Sequence, residues 1–219
     1  DGHAVWVNSA ALALAGITDT TKDPSGGQIL RDERHRATGI LVDNAMNLVL
    51  KHIPAPTDEQ NRQMIIAATQ ECIRLGFTEI HDMDLHPNLL AIYRDLAEKG
   101  ALPLRVQSYV SGQNDEWLVD RLLPAGGEFL RVYAIKLYAD GALGSRGALL
   151  LNPYSDAPST SGLALLSAEQ LEEKVRTIIE FGWNVAIHAI GDGANRMVLN
   201  TYSKMREQNI ADDNVLLRV

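Results

Sequence analysis

The sequence predicts an α/β protein, read as part of a (β/α)8 TIM-like barrel with an N-terminal inserted segment. Three observations predict it. From Thr57 onward, short apolar runs alternate with stretches of helical period, the rhythm of a parallel sheet with helical crossovers. Two successive predicted strands end a face of small residues with a functional polar group, first Lys136 and then His188, each just before a Gly-containing turn. Barrel enzymes carry their chemistry at such strand ends. No Gly-rich phosphate fingerprint follows the first strand, which disfavours the doubly wound sheet that shares the same rhythm.

Residues 1–55 lack the βα rhythm and are read as an inserted segment near the barrel mouth; residues 56–219 are read as a partial barrel of about five parallel strands. Asn8 suits the N-cap of a helix from Ser9 to Ala15, which Gly16 ends. Gln28 to Arg31 and Thr38 to Val42 are short strands, and Asp43 to His52 is a short helix stopped by Pro54. Thr57 and Gln60 have capping-box spacing, with Asp58 and Glu59 at the positive helix start. Ile65, Ala68, Cys72 and Leu75 form the core stripe of that helix, and Gly76 ends it.

Then follow a strand (Thr78 to Asp82), a helix (Pro87 to Lys99), a strand (Leu104 to Val110) and a helix (Asp115 to Leu123). The lysine strand, the helix from Ser167 to Phe181 and the histidine strand form one βαβ unit. A helix from Ala194 to Gln208 and a strand from Val215 to Val219 complete the pattern.

Alternation along the strands assigns faces. Tyr133, Ile135 and Leu137 fall on one side of the lysine strand, and Val132, Ala134 and Lys136 on the other. In the histidine strand Val185 and Ile187 oppose Asn184, Ala186 and His188. Lys136 and His188 are therefore expected at the same mouth. Taken alone, each has a plain structural reading, a lysine that snorkels to water and a histidine satisfied in the core. Of the pair His81 and Asp82, Asp82 is expected to face inward with Thr78.

The chain has 219 residues, against the roughly 250 of a complete barrel. Its formal charge of −8 and lack of a basic stripe disfavour a nucleic-acid role. No apolar run reaches the ~20 residues of a membrane span. The single cysteine, Cys72, excludes an internal disulfide. It fits the cytoplasm and is compatible with periplasmic or secreted placement. The chain opens on Asp1 and stops at Val219 within a predicted strand, and is read as an internal piece of a longer polypeptide.

Several stretches carry a family resemblance: Asp1-Gly2-His3-Ala4-Val5-Trp6-Val7-Asn8-Ser9-Ala10-Ala11-Leu12, Gly26-Gly27-Gln28-Ile29, Thr38-Gly39-Ile40-Leu41 and Gly76 to Asp82. To these are added Lys136-Leu137-Tyr138-Ala139-Asp140-Gly141-Ala142-Leu143-Gly144-Ser145-Arg146 and His188-Ala189-Ile190-Gly191-Asp192. The chain resembles the amidohydrolase superfamily, in the branch of metal-dependent hydrolases that includes N-substituted formamide deformylases.

The resemblance implies a barrel with one or two divalent ions, zinc being the expected metal, at its C-terminal mouth. It implies Lys136 as a ligand after carboxylation by carbon dioxide, and His188 as the ligand of the next strand. The implied reaction is hydrolysis of an amide-type carbon–nitrogen bond in a small molecule by a metal-activated water. An ammonium has no lone pair, so unmodified protonated lysine cannot bind a metal, whereas a carbamate offers anionic oxygens. Arg146, on a Gly-flanked loop, is a candidate for holding an oxyanion, and Asp140 for orienting a ligand. His3 and Asp82 are candidates for contacting substrate.

The family's His-x-His pair and late-strand aspartate have no counterpart in this sequence, so the isolated chain is expected to be inactive. Two other readings stand beside this one: a Schiff-base enzyme using Lys136, and a non-catalytic barrel module. A homodimer covering open sheet edges is a further expectation.

Overall fold

The computed structural model describes residues 2–114, 117 and 127–219. The chain first builds a small antiparallel sheet. Its strands are β1 (Ala4–Trp6), β2 (Gly27–Arg31) and β3 (Ala37–Asp43), in the order β1-β3-β2. Helix α1 (Ser9–Leu14) is capped by Asn8, whose side chain accepts the Ala11 N–H. Where one helix from Asp43 was expected, Asp43 ends β3, and a 3-10 turn (Asn44–Met46) leads into α2 (Asn47–Leu50). Ile17, Ile29, Leu41, Ala45 and Val49 form a separate core for this unit. The register sets Ala4 opposite Val42, so the next pair along is His3 and Asp43.

The remaining chain alternates as predicted. Helix α3 (Asp58–Arg74) precedes β4 (Glu79–Leu85), α4 (Leu90–Glu98), β5 (Arg105–Ser111) and β6 (Leu130–Tyr138). Then come α5 (Ala168–Glu180), β7 (Asn184–His188), α6 (Asp192–Glu207) and β8 (Leu217–Arg218). The predicted helix from Asp115 to Leu123 lies outside the described residues, apart from Trp117.

The five strands β4 to β8 pair in parallel and in sequence order. There is no switch point of the kind that marks a doubly wound sheet. One apolar core joins the helices to one face: Tyr93 and Leu96 of α4, Val175 and Ile178 of α5 and Val198 and Met205 of α6 meet Val106, Ile135 and Val185. The other face carries Tyr109, Ala134 and Ala186, with Met83 and Tyr133 against them. Lys136 ends this second face, and we call it the lysine face.

The sheet is strongly curled. Arg218 of β8 donates from Nη1 to His81 of β4 at 3.0 Å and to the Tyr109 hydroxyl at 2.9 Å. In a flat sheet, strands four places apart would stand roughly 19 Å from one another, well beyond the span of these side chains.

Two bulges decide what the lysine face presents. Consecutive residues Ser108 and Tyr109 of β5 pair with Val132 and Ala134 of β6, leaving Tyr133 extra. The added residue inverts the alternation upstream of it. Val132 therefore joins the Ile135 core and Tyr133 the lysine face, reversing both predicted placements. On β4, Asp84 is the extra residue between Met83 and Leu85, at φ 76°.

The capping box expected at Thr57/Gln60 forms, and the structure adds a second at Ser167/Gln170. Replacing Ser167 with Ala removes the acceptor for the Gln170 N–H. The expected cost is about 1 kcal/mol, read as a lower denaturant midpoint; an unchanged midpoint would show that this cap contributes nothing.

Candidate functional site

The site forms where the strand ends of β4, β6 and β7 meet the small antiparallel sheet. Lys136 pairs in register with Ala186, and Tyr138 with His188, so all four side chains lie on one face. Lys136 is only 7% exposed. Its Nζ donates to the Leu137 carbonyl at 3.0 Å and lies 3.6 Å above the centre of the Tyr138 ring. Burial pulls the ammonium down to about 8, against a smaller opposing pull from the Asp84 charge. The snorkelling reading is thereby set aside, because this lysine points inward.

His188 is half-buried, and its Nε2 is buried without a hydrogen-bond partner among the described residues. The nearest carboxylate oxygen, Oδ1 of Asp140, is 3.9 Å away, too far for a hydrogen bond. Burial lowers its pKa first, and the positive charge of Lys136 lowers it further. The neutral imidazole, the form able to bind a metal, is thus favoured. His3 stacks obliquely on it with ring centres 4.8 Å apart, and Tyr138 flanks it at 5.4 Å.

Asp43 is a participant that the sequence reading missed. His3 Nδ1 donates to Asp43 Oδ1 at 2.8 Å, fixing the ring against His188. Asp43 sits buried at φ 47° in a cradle made by two glycines. A Cβ on Gly141 would approach its carboxylate to 2.3 Å, and one on Gly147 to 2.4 Å. Burial raises its pKa, and the His3 hydrogen bond partly opposes that. Asp43 lies 40 residues from His3 and much farther along the chain from Gly141, so no local motif could reveal the cradle.

The other predicted residues separate. Asp140 is fully buried, and its two oxygens accept the N–H groups of Leu149, Ile190 and Gly191 at 2.8 to 2.9 Å. It ties the loop after β6 to the turn that follows His188, and acts on the site by holding that turn.

Arg146 is half-exposed at φ 56° and pairs with Asp156 at 3.1 Å. That contact belongs to the surface of its loop, which corrects the expectation that it faces an oxyanion.

Asp82 is likewise corrected. It accepts from the Tyr93 hydroxyl of α4 at 2.8 Å, on the helix-covered face, while His81 lies on the lysine face against Tyr109. Ile80 carried the signal: it packs in the helix-facing core and shares its face with Asp82.

Asp84, also missed, is turned onto the lysine face by the β4 bulge. Its Oδ2 accepts from Gln113 at 3.3 Å. Burial raises the pKa of Tyr138, and the charge of Asp84 and its hydrogen bond with the Tyr138 hydroxyl raise it further.

Among the described residues, no cluster of three or more His, Cys, Asp or Glu side chains is placed to hold a metal ion. Lys136 and His188 could supply part of such a shell, one as a buried amine and the other as an imidazole whose Nε2 has no hydrogen-bond partner among the described residues. No helix among the described residues is long and apolar enough to cross a membrane.

Comparison with known proteins gives the family. The chain is 38% identical to a protein of Bacillus subtilis named as an amidohydrolase, YtcJ, over 98% of this chain and 41% of that protein. It is 28% identical to the N-substituted formamide deformylase of Arthrobacter pascens, over 96% of this chain and 41% of the relative. The crystal structure of an uncharacterized metal-dependent hydrolase from Pyrococcus horikoshii superposes with a TM-score of 0.72 at 30% identity, covering 93% of this chain and 40% of that one. The chain thus spans about two-fifths of the length of the relatives it matches. The Amidohydrolase family pattern matches residues 1–218, and the chain belongs to that family.

Proposed function

We propose that this chain is the lysine- and histidine-bearing section of a metal-dependent hydrolase that cleaves amide-type carbon–nitrogen bonds in small molecules. The observation that carries the proposal is the pairing of buried Lys136 with the unpartnered Nε2 of His188, on adjacent strand ends of one face. The names of the deformylase relative and the metal-dependent hydrolase neighbour support it.

The residues fit a divalent ion, with zinc favoured by an imidazole and oxygen donor set. A lysine pulled down to about 8 holds neutral amine near neutrality. That amine adds through Nζ to the carbon of carbon dioxide, forms an N–C bond and releases one proton, leaving a carbamate with oxygen donors. When bound, the ion supplies Lewis acidity and acidifies a water toward neutrality. His3, held by Asp43, orients the His188 ring, and Asp140 holds the turn behind it. The remaining ligands are proposed to come from the portions of the relatives that this chain does not span.

The curl of the sheet and its unbroken strand order support a complete (β/α)8 barrel. The small antiparallel sheet is then an insert at the mouth.

The test is hydrolysis of N-substituted formamides and acetamides by the polypeptide that carries this sequence, before and after chelation. Activity lost to the chelator and restored by zinc, iron or manganese is expected. Turnover indifferent to chelation, with Lys136 trapped by borohydride in the presence of a carbonyl substrate, would establish the Schiff-base reading instead.

A further inference from the structure

We propose that Asp84 forms a subsite for a cationic nitrogen group of the substrate, beside the bond that is cleaved. The proposal rests on the hydrolase reading and extends it to substrate class.

Asp84 lines a cavity of about 350 Å³ together with His3, Asn44, Asn47, Gln113 and Tyr138. That volume lies in the range of small-molecule pockets. Its Oδ2 accepts from Gln113, and the Tyr138 hydroxyl also interacts with the carboxylate, while Oδ1 is buried without a well-aligned donor among the described residues. A buried carboxylate oxygen without an aligned donor is costly, and so is a non-glycine residue at φ 76°. Both costs fall on the one residue of β4 that the bulge diverts to the cavity side. They are explained together if a ligand supplies the missing donor.

The cavity wall also carries the Asp43 carboxylate. A carboxylate is an acceptor only, so the fitting partner is an ammonium or another cationic N–H donor.

The test compares binding of two acetamides of equal length, N-(2-aminoethyl)acetamide and N-propylacetamide, by NMR titration. The proteins are the wild type, Asp84→Asn and Asp84→Gly. Asn and Gly both accept positive φ, so neither variant strains the bulge.

The wild type is expected to favour the cationic probe about tenfold, and both variants to lose the preference. Equal binding by the wild type, or a preference that survives in the variants, overturns the subsite. Metal content measured on the same samples separates the two readings. Unchanged metal with a lost preference supports the subsite. Metal lost only in the variants assigns Asp84 to the surroundings of the ion and overturns it. Metal absent from all three removes the hydrolase reading, while the binding comparison still decides the subsite.

Discussion

On the proposed hydrolase reading, Lys136→Met in the polypeptide that carries this sequence is expected to lower hydrolysis at least on the order of 100-fold while leaving the protein folded. The rate estimate follows from residues that merely support metal ligands, whose loss typically costs 10- to 100-fold; a ligand should cost no less. The stability estimate follows from the lysine's surroundings. Its ammonium is stripped of water, holds one carbonyl at 3.0 Å and lies against the Tyr138 ring. Methionine keeps much of the stem's volume and packs adaptably. Replacing a desolvated cation with an apolar residue of similar size is often neutral or stabilising. A melting midpoint held or raised by a few degrees, with activity lost, is the signature of a residue kept for chemistry. Joint loss of fold and activity would mark Lys136 as structural.

Asp140→Ala is expected to produce the largest loss of stability, about 3–5 kcal/mol. Three backbone N–H groups converge on this buried carboxylate. Each buried donor left without an acceptor costs about 1–3 kcal/mol, reduced where water enters the space. For a chain of this size that corresponds to a fall of roughly 10 °C in melting midpoint. Asp140→Asn keeps one acceptor oxygen and should fall between. The same substitution frees the turn at Ile190 and Gly191 behind His188, so metal affinity should drop with it. A midpoint within a degree of the wild type would contradict the role assigned to this carboxylate.

The fold was legible where it depends on local chemistry. The capping box at Thr57/Gln60, the glycine stops and the alternation of β4 to β8 with helices all follow from residue type and spacing. Strand β1 was missed because three residues carry no period of their own, and pairing with β3 makes it a strand. The faces were legible only as far as the alternation was unbroken. On β7 the reading held. On β6 and β4 one extra residue shifted the count, moving Tyr133 and Val132 and hiding Asp84.

Bulges leave little trace in the sequence because they arise from pairing with a neighbour. The pairing of Lys136 with His188 was visible as two polar ends of small-residue faces. The His3–Asp43 contact was not, since it depends on an antiparallel register and on two distant glycines that leave room for a carboxylate.

The most direct measurement is elemental analysis of the polypeptide carrying this sequence, purified with bicarbonate, beside its Lys136→Ala variant. One or two divalent ions per chain, depleted in the variant, are predicted. No bound metal in either protein would contradict the assignment of Lys136 and His188 to a metal centre.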